Sequence, residues 1–188
     1  MNQICVFCGS NPGADPEYIQ ATRELGRVLA ARHLTLIYGG ARVGMMGELA
    51  NSVLEAGGQV IGVIPQSLAD KVAHTGLSDL RIVNSMHERK ALMAELADGF
   101  VVLPGGFGTL EEFFEVLTWS QLGLHHKPCG LLNVNQYYQR LAEFLDYAVT
   151  RQFIKAEHRD MLLIDDDPGK LLDKFDDYQP PLVDKWAA

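Results

Sequence analysis

Cysteine is scarce in this chain of 188 residues: Cys5, Cys8 and Cys129 make an odd set of three, which excludes a small disulfide-stapled scaffold. No run approaches the ~18 apolar residues that a membrane-crossing helix needs. The start, Met1-Asn2-Gln3-Ile4-Cys5-Val6, has neither the basic residues nor the apolar stretch of an export signal. The expected location is the cytoplasm, away from membranes. Positive charge is also in deficit, with 16 Lys and Arg against 24 Asp and Glu, a net charge of −8 and no basic block. Nucleic acid is therefore excluded as a partner, and any bound anion must be held by local groups. What the chain has is core-forming material: 47% hydrophobic and 21% charged residues are globular values.

Short apolar runs of β character alternate with amphipathic stretches almost from end to end. Strands are expected at Ile4 to Cys8, Leu34 to Tyr38, Gln59 to Ile64, Leu80 to Val83, Phe100 to Leu103, Gly130 to Leu132 and Met161 to Ile164. Between them, helices are expected from Asp15-Pro16-Glu17 toward Ala31, and over Met45 to Ala56, Ser85 to Ala97, Thr109 to Leu122, Tyr137 to Arg151 and Pro168 to Phe175. Strands this apolar, each followed by a helix, predict an α/β domain with a parallel sheet of about seven strands covered by helices on both faces. Residues 1–178 are expected to form that domain and 179–188, opening Gln179-Pro180-Pro181, a C-terminal tail. Cys5-x-x-Cys8 lies inside the first apolar run, so it reads as buried strand and not as a redox or zinc motif. His125-His126 has no ligand partner nearby in sequence, and no metal site or cofactor is expected.

Right-handed crossovers place every strand-to-helix loop at one sheet edge, where ligands bind. Three such loops are glycine-rich: Gly9-Ser10-Asn11-Pro12-Gly13, Gly39-Gly40-Ala41-Arg42-Val43-Gly44 and Pro104-Gly105-Gly106-Phe107-Gly108-Thr109. In the third, glycines allow a tight turn and close approach to a ligand, and a helix opening at Thr109 offers free N–H groups to a phosphate. It is not a Walker A loop, and the first loop does not spell G-x-G-x-x-G. The second strand ends in Tyr38-Gly39-Gly40 and not in the acidic residue that holds a dinucleotide ribose, which favours a mononucleotide over NAD.

Glu112 carries two readings. Thr109-Leu110-Glu111-Glu112 matches a capping box, in which the glutamate merely satisfies a backbone N–H. Alternatively, a carboxylate one turn beyond a phosphate-binding N-terminus lies within reach of the sugar attached to that phosphate. Ser85-Met86-His87-Glu88 repeats the pattern, and there Glu88 reads as a cap. Arg89 and Lys90 follow on the same edge; a guanidinium grips phosphate or base through its planar fork, whereas Lys90 equally suits a solvated face.

The segments Cys8-Gly9-Ser10, Tyr38-Gly39-Gly40, Gly44-Met45-Met46-Gly47, Met86-His87-Glu88-Arg89-Lys90 and Pro104-Gly105-Gly106-Phe107-Gly108-Thr109-Leu110-Glu111-Glu112 occur in that order, and with them the chain resembles the Lonely Guy (LOG) family of cytokinin riboside 5'-monophosphate phosphoribohydrolases. The resemblance implies a Rossmann-like fold, a homodimer, and hydrolysis of a nucleoside 5'-monophosphate to free base and ribose 5-phosphate. It implies a catalytic pair, Arg89 and Glu112. Substrate contacts are implied at Gly9, Ser10, Gly39, Gly40, Met86, Lys90, Pro104, Gly105, Gly106, Phe107, Gly108 and Thr109. The acid that protonates the leaving base is open among Glu111, Glu115 and a water. The alternative is a non-catalytic carrier or sensor of a nucleotide or molybdenum cofactor on the same fold. An amino-acid decarboxylase is disfavoured, because a pyridoxal enzyme needs a Schiff-base lysine in a larger scaffold.

Overall fold

The side chains of the first strand alternate between two cores and so fix the layering of the molecule. In the computed structural model, which describes residues 1–181, β1 (Gln3–Phe7) sends Ile4 and Val6 to one face and Cys5 and Phe7 to the other, as the two-residue period of a strand requires. After it come α1 (Pro16–Ala31), β2 (Thr35–Tyr38), α2 (Gly44–Glu55), β3 (Val60–Pro65), α3 (Gln66–Val72), β4 (Asp79–Val83), α4 (Met86–Leu96), β5 (Gly99–Val102) and α5 (Phe107–Gln121). The chain continues through β6 (Cys129–Leu132), a 3₁₀ turn (Val134–Gln136), α6 (Gln139–Thr150), α7 (Ala156–Arg159), β7 (Leu162–Asp165) and α8 (Pro168–Asp176).

All seven strands are parallel, in the order β4-β3-β2-β1-β5-β6-β7. On one face Ile4, Val6, Leu36, Tyr38 and Val101 pack against Leu25 and Leu29 of α1, Leu49 and Val53 of α2, and Leu171 and Phe175 of α8. On the other, Cys5, Phe7, Ile37, Phe100 and Val102 meet Met93 of α4, Phe113 and Val116 of α5, and Leu145 of α6. Each such fully buried side chain is worth about 1.5–3 kcal/mol of transfer free energy, which is why strands with no polar face are stable here. All three cysteines are free and buried, and burial pushes their thiols up, Cys129 to about 12, so none is poised as a thiolate.

Strand order reverses between β1 and β5. There the chains leaving the two carboxyl ends diverge, and the Gly9 N–H donates to the Pro104 carbonyl at 3.0 Å across the opening. This is the topological switch point at which open α/β sheets bind ligands.

Three expectations need correction. β3 runs through Pro65, one residue beyond the expected end at Ile64. α3 and α7 were not foreseen. α5 begins at Phe107 with Gly106 as its N-cap, two residues before the expected start at Thr109. The tail expected over 179–188 is described only to Pro181; its remainder lies outside the described residues.

Candidate active site

A cavity of about 390 Å³ occupies the switch point. Gly9, Ser10, Pro104, Gly105, Gly106, Phe107, Gly108, Thr109, Met86, Arg89 and Glu112 all line it, so eleven side chains or backbone segments singled out in the sequence meet in one place. Gly39, Gly40 and Lys90 do not line it. Gly39 lies beneath Arg89, so close that a Cβ there would fall 2.0 Å from the guanidinium Nη2. Gly40 turns the chain with φ +72° and its carbonyl accepts from the His74 N–H. Lys90 points its ammonium at Glu111 and Glu115.

α4 and α5 present a double ladder of opposite charge. Ser85 caps α4 by accepting from the Glu88 N–H, and the Glu88 carboxylate returns to the Asn84 N–H at 2.8 Å. Glu88 is thus a capping residue, and the rigid first turn sets Arg89 and Lys90 one helical step, ~100°, apart. Arg89 turns inward: its Nε donates to the Val63 carbonyl at 3.1 Å and its Nη1 to Glu112 Oε1 at 2.9 Å. Lys90 bonds Glu111 and, at 3.1 Å, Glu115, one turn further along α5.

Glu112 is not a capping residue. With the helix starting at Phe107, Thr109 is itself inside the first turn and buried, and the N-cap Gly106 has no side chain to bond the first N–H groups. The Glu112 carboxylate is instead buried against Arg89. Burial raises its pKa above the ordinary glutamate value; the adjacent Arg89 charge opposes that rise without cancelling it, and Glu111 adds to it.

The first intrahelical bond of α5 runs from the Leu110 N–H to the Gly106 carbonyl, so the preceding N–H groups have no helical acceptor. Two glycines there are unexplained by packing. A Cβ on Gly106 or Gly108 would meet nothing within 4 Å, whereas one on Gly105 would strike Thr109 Oγ1 at 2.1 Å. Gly105 is required by the protein's own atoms. Gly106 and Gly108 line the cavity with open space at their Cβ positions, beside a helix N-terminus of the kind whose geometry and dipole favour an anion.

Sequence reasoning passed over Tyr18, Met45, Met46 and Tyr137, which also line the cavity. Met45-Met46 stood in a quoted motif but had no role assigned. The two tyrosines come from the first turn of α1 and from beyond β6, and no local pattern marks them. Away from the cavity, His125 Nε2 donates to the Val116 carbonyl at 2.9 Å, and its ring packs on Phe100.

The sequence profile of a family described as "Possible lysine decarboxylase" matches residues 46–175. A protein of Rhodococcoides fascians named cytokinin riboside 5'-monophosphate phosphoribohydrolase is 53% identical over 163 residues, 86% of this chain and 82% of its own length. A protein of Oryza sativa subsp. japonica with that name, qualified as probable, is 50% identical over 95% of this chain and 79% of its own. One from Arabidopsis thaliana is 44% identical over 95% and 82%. Among solved structures, the molybdenum cofactor binding protein of Rippkaea orientalis aligns with a TM-score of 0.72 at 21% identity, covering 94% of this chain and 96% of that one, a likeness of fold alone. With the profile running from α2 to α8 and identity this high over nearly the whole length, the chain belongs to the LOG family, the family to which the lysine decarboxylase description is attached.

Proposed function

We propose that the chain is a phosphoribohydrolase that cleaves the N-glycosidic bond of an adenosine 5'-monophosphate, including N6-modified forms, to the free base and ribose 5-phosphate. The observation that carries this reading is the buried Arg89–Glu112 pair, 2.9 Å apart, at the floor of a cavity whose rim is the uncapped N-terminus of α5. The names of the relatives, which specify a riboside 5'-monophosphate, support it.

The 5'-phosphate sits on the N–H groups that open α5, in the space kept by Gly106 and Gly108. Four residues on from Gly108, Glu112 lies roughly 6 Å further along the helix axis, a distance suited to the sugar next to that phosphate. As the C1'–N bond breaks, its electron pair leaves with the base and the ribose takes on oxocarbenium character. The Glu112 carboxylate stabilises that charge and accepts a proton from the attacking water. Arg89, which lines the same cavity, holds the carboxylate in place and orients the substrate or balances charge on the departing base. Of the two further carboxylates considered as acid for the leaving base, only Glu111 lines the cavity.

A decarboxylase would present a lysine to the cavity. None of the lining residues is a lysine, and Lys90 is engaged by Glu111 and Glu115. Residues 1–178 act as one catalytic domain in this reading, and the protein works as a homodimer. No helix among the described residues is long and apolar enough to cross a membrane, and three free thiols suit the cytoplasm.

The test is incubation with a panel of nucleoside 5'-monophosphates and the matching nucleosides, with free base as readout. Monophosphates are cleaved, and nucleosides, lacking the remote group that anchors the sugar, react at least about 100-fold more slowly in kcat/KM. Tight binding of monophosphates without release of any base would replace this reading with that of a nucleotide or cofactor carrier.

A further inference from the structure

The segment after β6 is bent into a conformation that side chains resist, and its product is the placement of one tyrosine. Asn135 (φ 49°, ψ 35°) and Gln136 (φ 57°) are consecutive residues in the left-handed region without being glycine, a costly arrangement for L-residues. Asn133 secures the turn: its N–H donates to the Asp165 carbonyl at 2.7 Å, and its Oδ1 accepts from the Tyr138 N–H at 2.8 Å. The chain emerges with Tyr137 over the cavity rim, where its hydroxyl donates to the Gly105 carbonyl at 2.6 Å. Its ring stands edge-on to Tyr138 at 4.9 Å and to Tyr18 at 5.8 Å.

The acceptor is significant because of the peptide to which it belongs. A trans peptide directs its C=O and N–H to opposite sides, so anchoring the Gly105 carbonyl fixes the Gly106 N–H, the first donor at the N-terminus of α5. Nothing within 4 Å of the Cβ position braces Gly106, and a Gly-Gly peptide has little preference of its own. We propose that Tyr137 is a positioning residue of the phosphate loop: its hydroxyl, by holding the Gly105 carbonyl, sets the Gly106 N–H for the substrate's phosphate. This rests on the assignment of the α5 N-terminus to the phosphate. Tyr138 supplies an internal contrast, since its hydroxyl donates to the Leu103 carbonyl at 2.8 Å within the core and lies outside the cavity lining.

The experiment compares Tyr137→Phe and Tyr138→Phe with the unaltered chain by calorimetric titration of inorganic phosphate and ribose 5-phosphate, by kinetics, and by thermal melting. Tyr137→Phe is expected to weaken both ligands by about three- to tenfold, the range for one hydrogen bond. The ratio of kcat/KM for a monophosphate to that for its nucleoside should fall by a similar factor, chiefly through KM. Tyr138→Phe should lower the melting temperature and leave phosphate affinity in place. Unchanged phosphate and ribose 5-phosphate affinity in Tyr137→Phe, or equal weakening in both variants, would overturn the inference. If the unaltered chain released no base from any monophosphate while Tyr137→Phe still weakened ribose 5-phosphate binding, the hydrolase reading would fall and the role of Tyr137 would stand.

Discussion

Glu112 answers to two opposed demands. In the proposed reaction its carboxylate must be ionised to face a developing oxocarbenium ion, yet it is buried, and burial raises its pKa against the pull of Arg89. A carboxyl raised in the folded state binds its proton more tightly there than in the unfolded chain. Its contribution to stability is therefore complete at low pH and lost as the pH rises from the ordinary 4.5 through the raised folded value. Catalysis runs the other way, since the ionised form accumulates only above that folded value. The pH profile of kcat/KM should accordingly show an acid limb above 4.5; a limb at or below that pH would assign the essential carboxylate elsewhere. Glu112→Gln removes the charge but keeps an oxygen for Arg89 Nη1. It should lower kcat at least about 100-fold and change stability by only about 1–3 kcal/mol, because the guanidinium stays hydrogen-bonded while losing its counter-charge. Melting curves and initial rates check both halves, and near-normal turnover would leave Glu112 with a purely structural pairing. The placement of Arg89 and Glu112 at the cavity was legible in the sequence because each follows a recognisable loop onto a helix at the ligand edge, whereas the local pattern alone left Glu112 open between cap and catalyst. Tyr137 was not, since its placement depends on two left-handed, non-glycine residues that no propensity predicts.

At the scale of elements, α5 shows where local pattern and fold part company. Thr109 looks like a capping residue, but the fold starts the helix at Phe107 and buries Thr109 beside Gly105. The glycines before it thus belong partly to the helix. Gly108 is the clearest case: it sits in the first turn, where Ala is preferred by up to about 1 kcal/mol, and an added Cβ touches nothing. Gly108→Ala should therefore hold or raise the melting temperature while, on the proposed phosphate assignment, raising KM for a monophosphate at least about tenfold as the methyl enters the phosphate's space. A fall in both stability and activity would mean that Gly108 serves the protein's own packing. The strands were readable because both faces of the sheet are covered, so that β1, β5 and β6 appear as unbroken apolar runs. α3 was not, because none of its residues is buried and its sequence carries no apolar stripe.

At the scale of the whole molecule, the sheet order brings the loops of the cavity together, and the proposed homodimer needs a face on the outer surface. On the outer side of α5, Phe114 and Leu117 join Leu145, Phe153, Ile154 and Leu162 around a groove of about 220 Å³. Phe153 is 88% exposed there, and its backbone follows Gln152, another non-glycine residue with positive φ, at 62°. An aromatic ring held out beside an apolar groove suits insertion into a second copy, because in a two-fold dimer each protomer offers both the ring and the groove. Sedimentation at low micromolar concentration should give twice the chain mass of 20.8 kDa. Phe153→Glu should shift the population toward monomer with little change in the melting temperature of the protomer, since so exposed a ring contributes little to its own fold. A monomeric unaltered chain would reject the dimer. A dimer indifferent to Phe153→Glu would place its interface on another face.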